Sequence, residues 1–146
     1  MNVSSINDFV EKYCELHNIT QKKLFSSSRH RPLVEKRMIL AYFLRKGTNM
    51  SWNAIGELMN KNHASMIHYV NKIETLITIY PYLKRMFDST NELYAQFEHS
   101  FKEHSNIYKE LLIENQKLKD RINRNIDIIN TIIEKDKKGY LIQIEQ

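Results

Sequence analysis

Glycine and proline are scarce: the 146 residues hold three glycines and two prolines. Tight β-hairpins lean on such residues at their turns, so a strand-rich fold is not expected. A single cysteine, Cys14, excludes an internal disulfide and a cysteine-based zinc site, and fits a reducing compartment. It falls between Val10 and Leu16 in an amphipathic pattern, which reads as a buried thiol rather than a nucleophile. No apolar run reaches the roughly 18 residues of a membrane span, and no charged-then-apolar start suggests export, so a cytoplasmic protein is expected. A Gly-x-x-x-x-Gly-Lys-Ser/Thr phosphate loop is missing, as is a convincingly placed Ser/His/Asp or Cys/His set. His99 and His104 lie five apart, not at the i,i+4 spacing of a helical metal pair. No enzyme activity, cofactor, metal or nucleotide is therefore expected.

What is present is charge and helical periodicity. Apolar residues recur at steps of three and four, so the fold class is all-α. Residues 1–80 carry eleven Lys and Arg against six Asp and Glu, while residues 81–146 carry eleven against eleven. Within residues 20–46 eight bases face one acid, Glu35. A positive field confined to one half is the electrostatic footprint of a nucleic-acid partner.

Taken in order, Ile6, Phe9, Val10, Tyr13 and Leu16 form an apolar stripe that predicts a helix over 6–17, with Asn18 as its stop. Thr20 caps a short helix over 21–25. A serine-rich loop bearing Arg29 and Arg31 ends at Pro32, which suits the first turn of a helix over 32–46. That helix buries Leu33, Met38, Ile39, Tyr42 and Phe43, and Gly47 breaks it. Ser51 is the N-cap of a helix over 52–59, and Asn62 that of a second beyond the turn Asn60-Lys61-Asn62. In the second, Met66, Val70, Ile73 and Ile77 share one buried face, while Ala64, Ser65, His68, Asn71 and Lys72 lie opposite. A short, hydrogen-bonding, mildly basic face behind a tight turn is how a helix-turn-helix reads the major groove, and a loop arginine can enter the minor groove beside it. The same pattern also fits an ordinary αα-hairpin in a helical core.

The basic loop with Arg29, the helix with Arg37 and Arg45, Ile55-Gly56, and HASMIH followed by Lys72-Ile73 together give residues 3–76 a specific likeness. The stretch resembles the C-terminal DNA-binding domain of the bacterial replication initiator DnaA, a small helical domain (domain IV) with a helix-turn-helix. The resemblance implies double-stranded DNA as partner. It implies Arg29 at the minor groove and Arg37 on a base edge or phosphate; Arg31, on the same exposed loop, is a candidate DNA contact from its position alone. Asn62, His63, Ala64 and Ser65 would read bases, and Ile67 would meet a thymine methyl. Arg45, Lys61, His68 and Lys72 would hold phosphates. The turn departs from the family's Gly-Gly-basic-Asp-His: it is one residue shorter, lacks glycine, has Asn62 for the aspartate and Ala64 for a hydroxyl residue. An amide can donate where a carboxylate only accepts, so base preference is expected to differ. The family's ATPase portion does not occur in the sequence.

Tyr80-Pro81 marks a boundary, since the residue before proline is pushed out of the helical region. From Leu83 a seven-residue repeat runs for about seven heptads, predicting a helix of about 50 residues, or ~75–80 Å. Such a seam needs a partner. Phe97, Phe101, Tyr108, Leu111, Asn115, Leu118, Ile122, Ile129 and Ile132 are its oligomerisation residues, with Asn115 setting register. The aromatic section packs on the DNA-binding domain or a wider bundle, and 111–132 dimerises; a break near Ser105-Asn106 would instead fold the helix back on itself. The organisation expected is a helix-turn-helix domain over 1–80, a long helix or coiled coil over 81–138, and a tail over 139–146. A fragment ending before Leu83 should then be a monomer that binds single sites weakly. The function expected is a homodimeric or higher homo-oligomeric, sequence-preferring DNA-binding protein in transcription control, replication or DNA organisation. The rival is a coiled-coil adaptor whose DnaA-like domain binds protein.

Overall fold

Among the described residues six helices follow one another: α1 (Asn2–Leu16), α2 (Gln21–Leu24), α3 (Arg31–Gly47), α4 (Trp52–Leu58), α5 (His63–Ile79) and α6 (Pro81–Glu145). This is a computed structural model, which describes the backbone of residues 2–145 and the side chains of residues 5–103 and 105–139. The side chains of His104 and of Tyr140-Leu141-Ile142 lie outside the described residues. The fold is all-α, with no strand among the described residues. No helix among them is long and apolar enough to cross a membrane.

Most boundaries follow from local chemistry. Asn18 closes α1 in the left-handed region at φ 50°, and the amides of Asn18 and Ile19 reach back to the carbonyls of Glu15 and Cys14. Thr20 Oγ1 accepts from the Lys23 amide at the start of α2. Pro32 sits in the first turn of α3, where its missing N–H is harmless. Gly47 is not the expected helix break, because it is the last residue of α3 and has no positive φ. Its role is closeness: a Cβ there would come within 2.6 Å of a Tyr94 ring carbon and 2.8 Å of a Phe101 ring carbon. Leu16, placed on the apolar stripe, is exposed, since the helix ends as the stripe reaches it.

The chain divides into two compact units, Met1–Asn106 and Ile107–Gln146. The first therefore runs past the boundary expected at residue 80. Tyr80 is extended, as a residue before proline should be, yet packing continues beyond it. Leu83 and Thr90 are fully buried, and Tyr94 and Phe101 nearly so. The Phe9 ring meets Phe97 and Phe101 edge-on at centroid distances of 5.5 Å each, and Phe43 lies 4.9 Å from Phe87 and 5.3 Å from Tyr94. Such aromatic pairs add about 0.5–1.5 kcal/mol each beyond area burial. Phe97 and Phe101, read as oligomerisation residues, thus pack within their own unit. They are too bulky for a tight two-stranded seam and find a wider site against α1. Helix α3 packs against α4 and α5 and, through Phe43, against Phe87 and Tyr94 of α6, so Leu40, Ala41 and Leu44 are buried along with the expected Leu33, Met38, Ile39 and Phe43, while Tyr42 is half-buried. The backbone at Ser105 and Asn106, where a break was the alternative, is helical.

His17 supplies a pH test of this packing. Thr90 donates its hydroxyl proton to the Met86 carbonyl at 2.8 Å, so it must accept from His17 Nε2, also at 2.8 Å. Burial, with a smaller contribution from the charge of Lys36, lowers the His17 pKa from 6.5 to about 4. The unfolded chain binds this proton first, so stability is full above pH ~6.5 and declines as the pH falls towards 4. Discounted for partial solvent exposure, the loss should be ~1–2 kcal/mol. Urea unfolding at pH 7.5 and 4.5 measures it, and His17→Gln should show a shallower pH dependence than the parent chain.

Candidate nucleic-acid interface

The helix-turn-helix is α4, the turn 59–62 and α5. Ser51 Oγ accepts from the Ala54 amide at 3.1 Å and Asn62 Oδ1 from the Ser65 amide at 2.8 Å, so both expected caps form. Asn60 stands at φ 54°, while its amide bonds to the Glu57 carbonyl and that of Lys61 to the Gly56 carbonyl. This is a Schellman closure in which asparagine takes the left-handed position that glycine usually fills. Gly56 is needed for another reason: a Cβ there would lie 2.5 Å from the Lys61 carbonyl oxygen.

On α5, Met66, Tyr69 and Ile73 are buried, while Val70 and Ile77 are only half-buried. The buried stripe is thus rotated slightly from the one expected, with Tyr69 added. Asn62, His63, Ala64, His68 and Lys72 are exposed, Ser65 is partly so, and Ile67 is 36 % exposed. The Asn62 cap fixes its amide: the oxygen faces the Ser65 N–H, so the Nδ2 donors are left over. An aspartate there would leave an acceptor instead.

The basic loop between α2 and α3 is held from within. Arg37 is 1 % exposed, not on the surface where a base or phosphate could reach it. Its Nε donates to the Leu24 carbonyl, Nη1 to that of Ser28, and Nη2 to that of Ser26 at 2.8 Å. A planar guanidinium with donors on three sides can gather three carbonyls, which a lysine cannot. Lys61 adds a second hold, donating from Nζ to the same Ser26 carbonyl at 2.6 Å. Burial, and then the charge of Arg37, lower the Lys61 pKa. So the residue preceding the α5 cap is tied to the loop that presents exposed Arg29. A sequence signal for Arg37 exists: it lies four after Leu33 and three and seven before Leu40 and Leu44, on the core face of α3.

The other two arginines differ. Arg31 is exposed but engaged: its Nε donates to buried Glu35 at 2.8 Å and its guanidinium lies 5.0 Å from the Tyr80 ring centre. Tyr82 donates its hydroxyl to the same Glu35 oxygen at 2.7 Å, so this cluster joins the starts of α3 and α6. Arg45 is exposed, 4.3 Å from the Trp52 ring centre, and donates to the Met50 carbonyl at 2.8 Å beside the start of α4. Stacked in this way, it keeps its charge at the surface.

Residues 4–73 match the family profile of the bacterial DnaA protein helix-turn-helix. Over these residues the chain carries a helix-turn-helix domain similar to that family's. The chain is 36 % identical over 74 residues to the chromosomal replication initiator protein DnaA of Wolbachia sp. subsp. Brugia malayi, covering 50 % of this chain and 16 % of that relative. It is 33 % identical over 75 residues to that of Limosilactobacillus reuteri, covering 51 % and 17 %. With the protein of the same name from Desulfatibacillum aliphaticivorans it is 33 % identical over 61 residues, covering 42 % and 13 %. The chain thus spans less than a fifth of the length of these relatives. The family profile match ends at residue 73, before α6.

Proposed function

We propose that this protein binds double-stranded DNA with sequence preference through α5 and the Arg29 loop. We further propose that it does so as a homo-oligomer joined through residues 107–139, in replication, transcription control or DNA organisation. The observation that carries the DNA reading is the double hold on Ser26, by Arg37 from beneath and Lys61 from the turn. It keeps the minor-groove arginine and the major-groove tip on one rigid frame, and rigidity here spares the ordering cost of a mobile arm. In this reading Arg29, Asn62, His63, Ala64, Ser65 and Ile67 meet DNA directly, and Arg45, His68 and Lys72 hold backbone. Arg31, Arg37 and Lys61 position the others. The exposed apolar residues of the second unit support the oligomer.

Full-length protein with Arg29→Ala and His63→Ala together should lose about 2–6 kcal/mol of binding to a selected site, at about 1–3 kcal/mol per lost base contact. Its thermal unfolding should stay unchanged, because both residues are exposed. Fluorescence anisotropy on labelled duplexes at several salt concentrations measures this. Affinity insensitive to both salt and the double substitution would favour a protein-binding adaptor instead.

A further inference from the structure

Every described side chain from residue 107 to 139 is exposed, although isoleucine and leucine recur there at seam spacing. Counted in sevens from Asn115 at position a, the other a residues are Tyr108, Ile122 and Ile129. The d residues are Leu111, Leu118, Asn125 and Ile132. Resting on the self-association proposed above, we infer that residues 107–133 pair with a second copy of this chain as two parallel helices in register.

Three features carry the orientation. Isoleucine at a with leucine at d, as in Leu118-Ile122, is the combination that favours two parallel strands. In that arrangement each g residue faces the e residue five positions later in the other chain. Glu114 then meets Lys119 of the second copy, twice over, with opposite charges. Neither residue has an ion pair within the chain among the described residues. The same rule sets Ile107 on Leu112 and Ile128 on Ile133 of the second copy, which covers apolar flanks that a narrow seam would leave in water. It brings no like charges together.

The antiparallel alternative is worse on the same residues. A two-fold axis at residue 120 is its best register, since Asn115 then faces Asn125 and Leu118 faces Ile122. That register also brings Arg121 against Arg121 and Lys119 against Lys119 beside the central layers. Like charges so placed are destabilising and select against this pairing.

Orientation has a functional consequence. Parallel strands put the two residues 107 about 10 Å apart, whereas the antiparallel register separates them by ~39 Å along the helix. Both DNA-binding units then attach at one end of the pair. Sites occupied together would lie close along one duplex, and the effective concentration of the second head would be high.

Cysteine cross-linking in the full-length chain tests this. Ile132→Cys should form an interchain disulfide in most molecules under mild oxidation. In the antiparallel register the two positions stand ~36 Å apart, beyond the ~7 Å limit for a disulfide. The parent chain, whose Cys14 is buried, should remain uncross-linked. Asn115→Cys is the second variant, because it removes no apolar residue; the antiparallel register holds it ~15 Å from its copy. Sedimentation equilibrium of the parent chain should give a dimer mass. A monomer at every concentration would overturn the self-association itself. A dimer in which Tyr108→Cys joins only Ile132→Cys, in a mixture of the two variants, would overturn the orientation alone. A trimer or tetramer would overturn the two-stranded pairing.

Discussion

A fragment ending at residue 80 should fail to fold stably, whereas one ending at Asn106 should unfold cooperatively like the full chain. The fragment 1–80 keeps all of residues 4–73, which match the family profile, but loses the residues that roof them. Leu83, Thr90, Tyr94 and Phe101, all buried, disappear. Phe9, Phe43 and Gly47 would then face water. Burying one large apolar side chain is worth roughly 1.5–3 kcal/mol, so losing three forfeits about 5–9 kcal/mol, comparable with the entire stability of a small domain. His17 and Asn49 also lose their partners, Thr90 and Ser105. Circular dichroism with urea titration on both fragments measures the difference. If 1–80 proved as stable as 1–106, the start of α6 would be an appendage rather than part of the core. The expectation that truncation before Leu83 merely releases a DNA-binding monomer would then stand.

Arg37→Ala should cost several kcal/mol of folding stability with no DNA present, because three carbonyls lose hydrogen bonds from a charged donor, each worth about 1.5–3 kcal/mol. It leaves the carbonyls of Leu24 and Ser28 short of donors, leaves that of Ser26 with Lys61 alone, and opens a cavity beneath the loop. Arg37→Lys should recover only a small part, because one ammonium cannot reach three divergent acceptors. DNA affinity should fall as well, indirectly, since Arg29 would no longer be held near the α5 tip. The alternative role makes the opposite prediction: a base- or phosphate-contacting arginine would lose affinity while the free protein unfolds at its usual urea concentration. Running the unfolding titration beside the binding titration separates the two.

Both predictions arise where sequence and tertiary structure part company. Caps and turns are local chemistry, and so Ser51, Thr20 and Asn62 could be read directly. Each needs only a side-chain oxygen within reach of an amide three residues on. Asn18 and Asn60 stop their helices on equally local grounds. The outward face of α5 was legible too, because polar residues opposite an apolar stripe mark it, though the stripe turned by one position to include Tyr69.

By itself, then, the sequence determined the helices, the caps at Thr20, Ser51 and Asn62, the helix-turn-helix, and an apolar seam that asks for a partner; it did not determine the end of the long helix, which was expected near 138 and runs to Glu145. It left undecided which partner each part of the seam takes, since a seven-residue repeat reports only that one face avoids water. Tertiary structure decided that Phe97 and Phe101 turn inward against Phe9, and that the basic run divides into arginines at the surface and one at the centre of a loop. The physical reason is shared: periodicity and charge are properties of a single helix. Which neighbour covers a face, or which carbonyls surround a guanidinium, depends on segments far away in the chain.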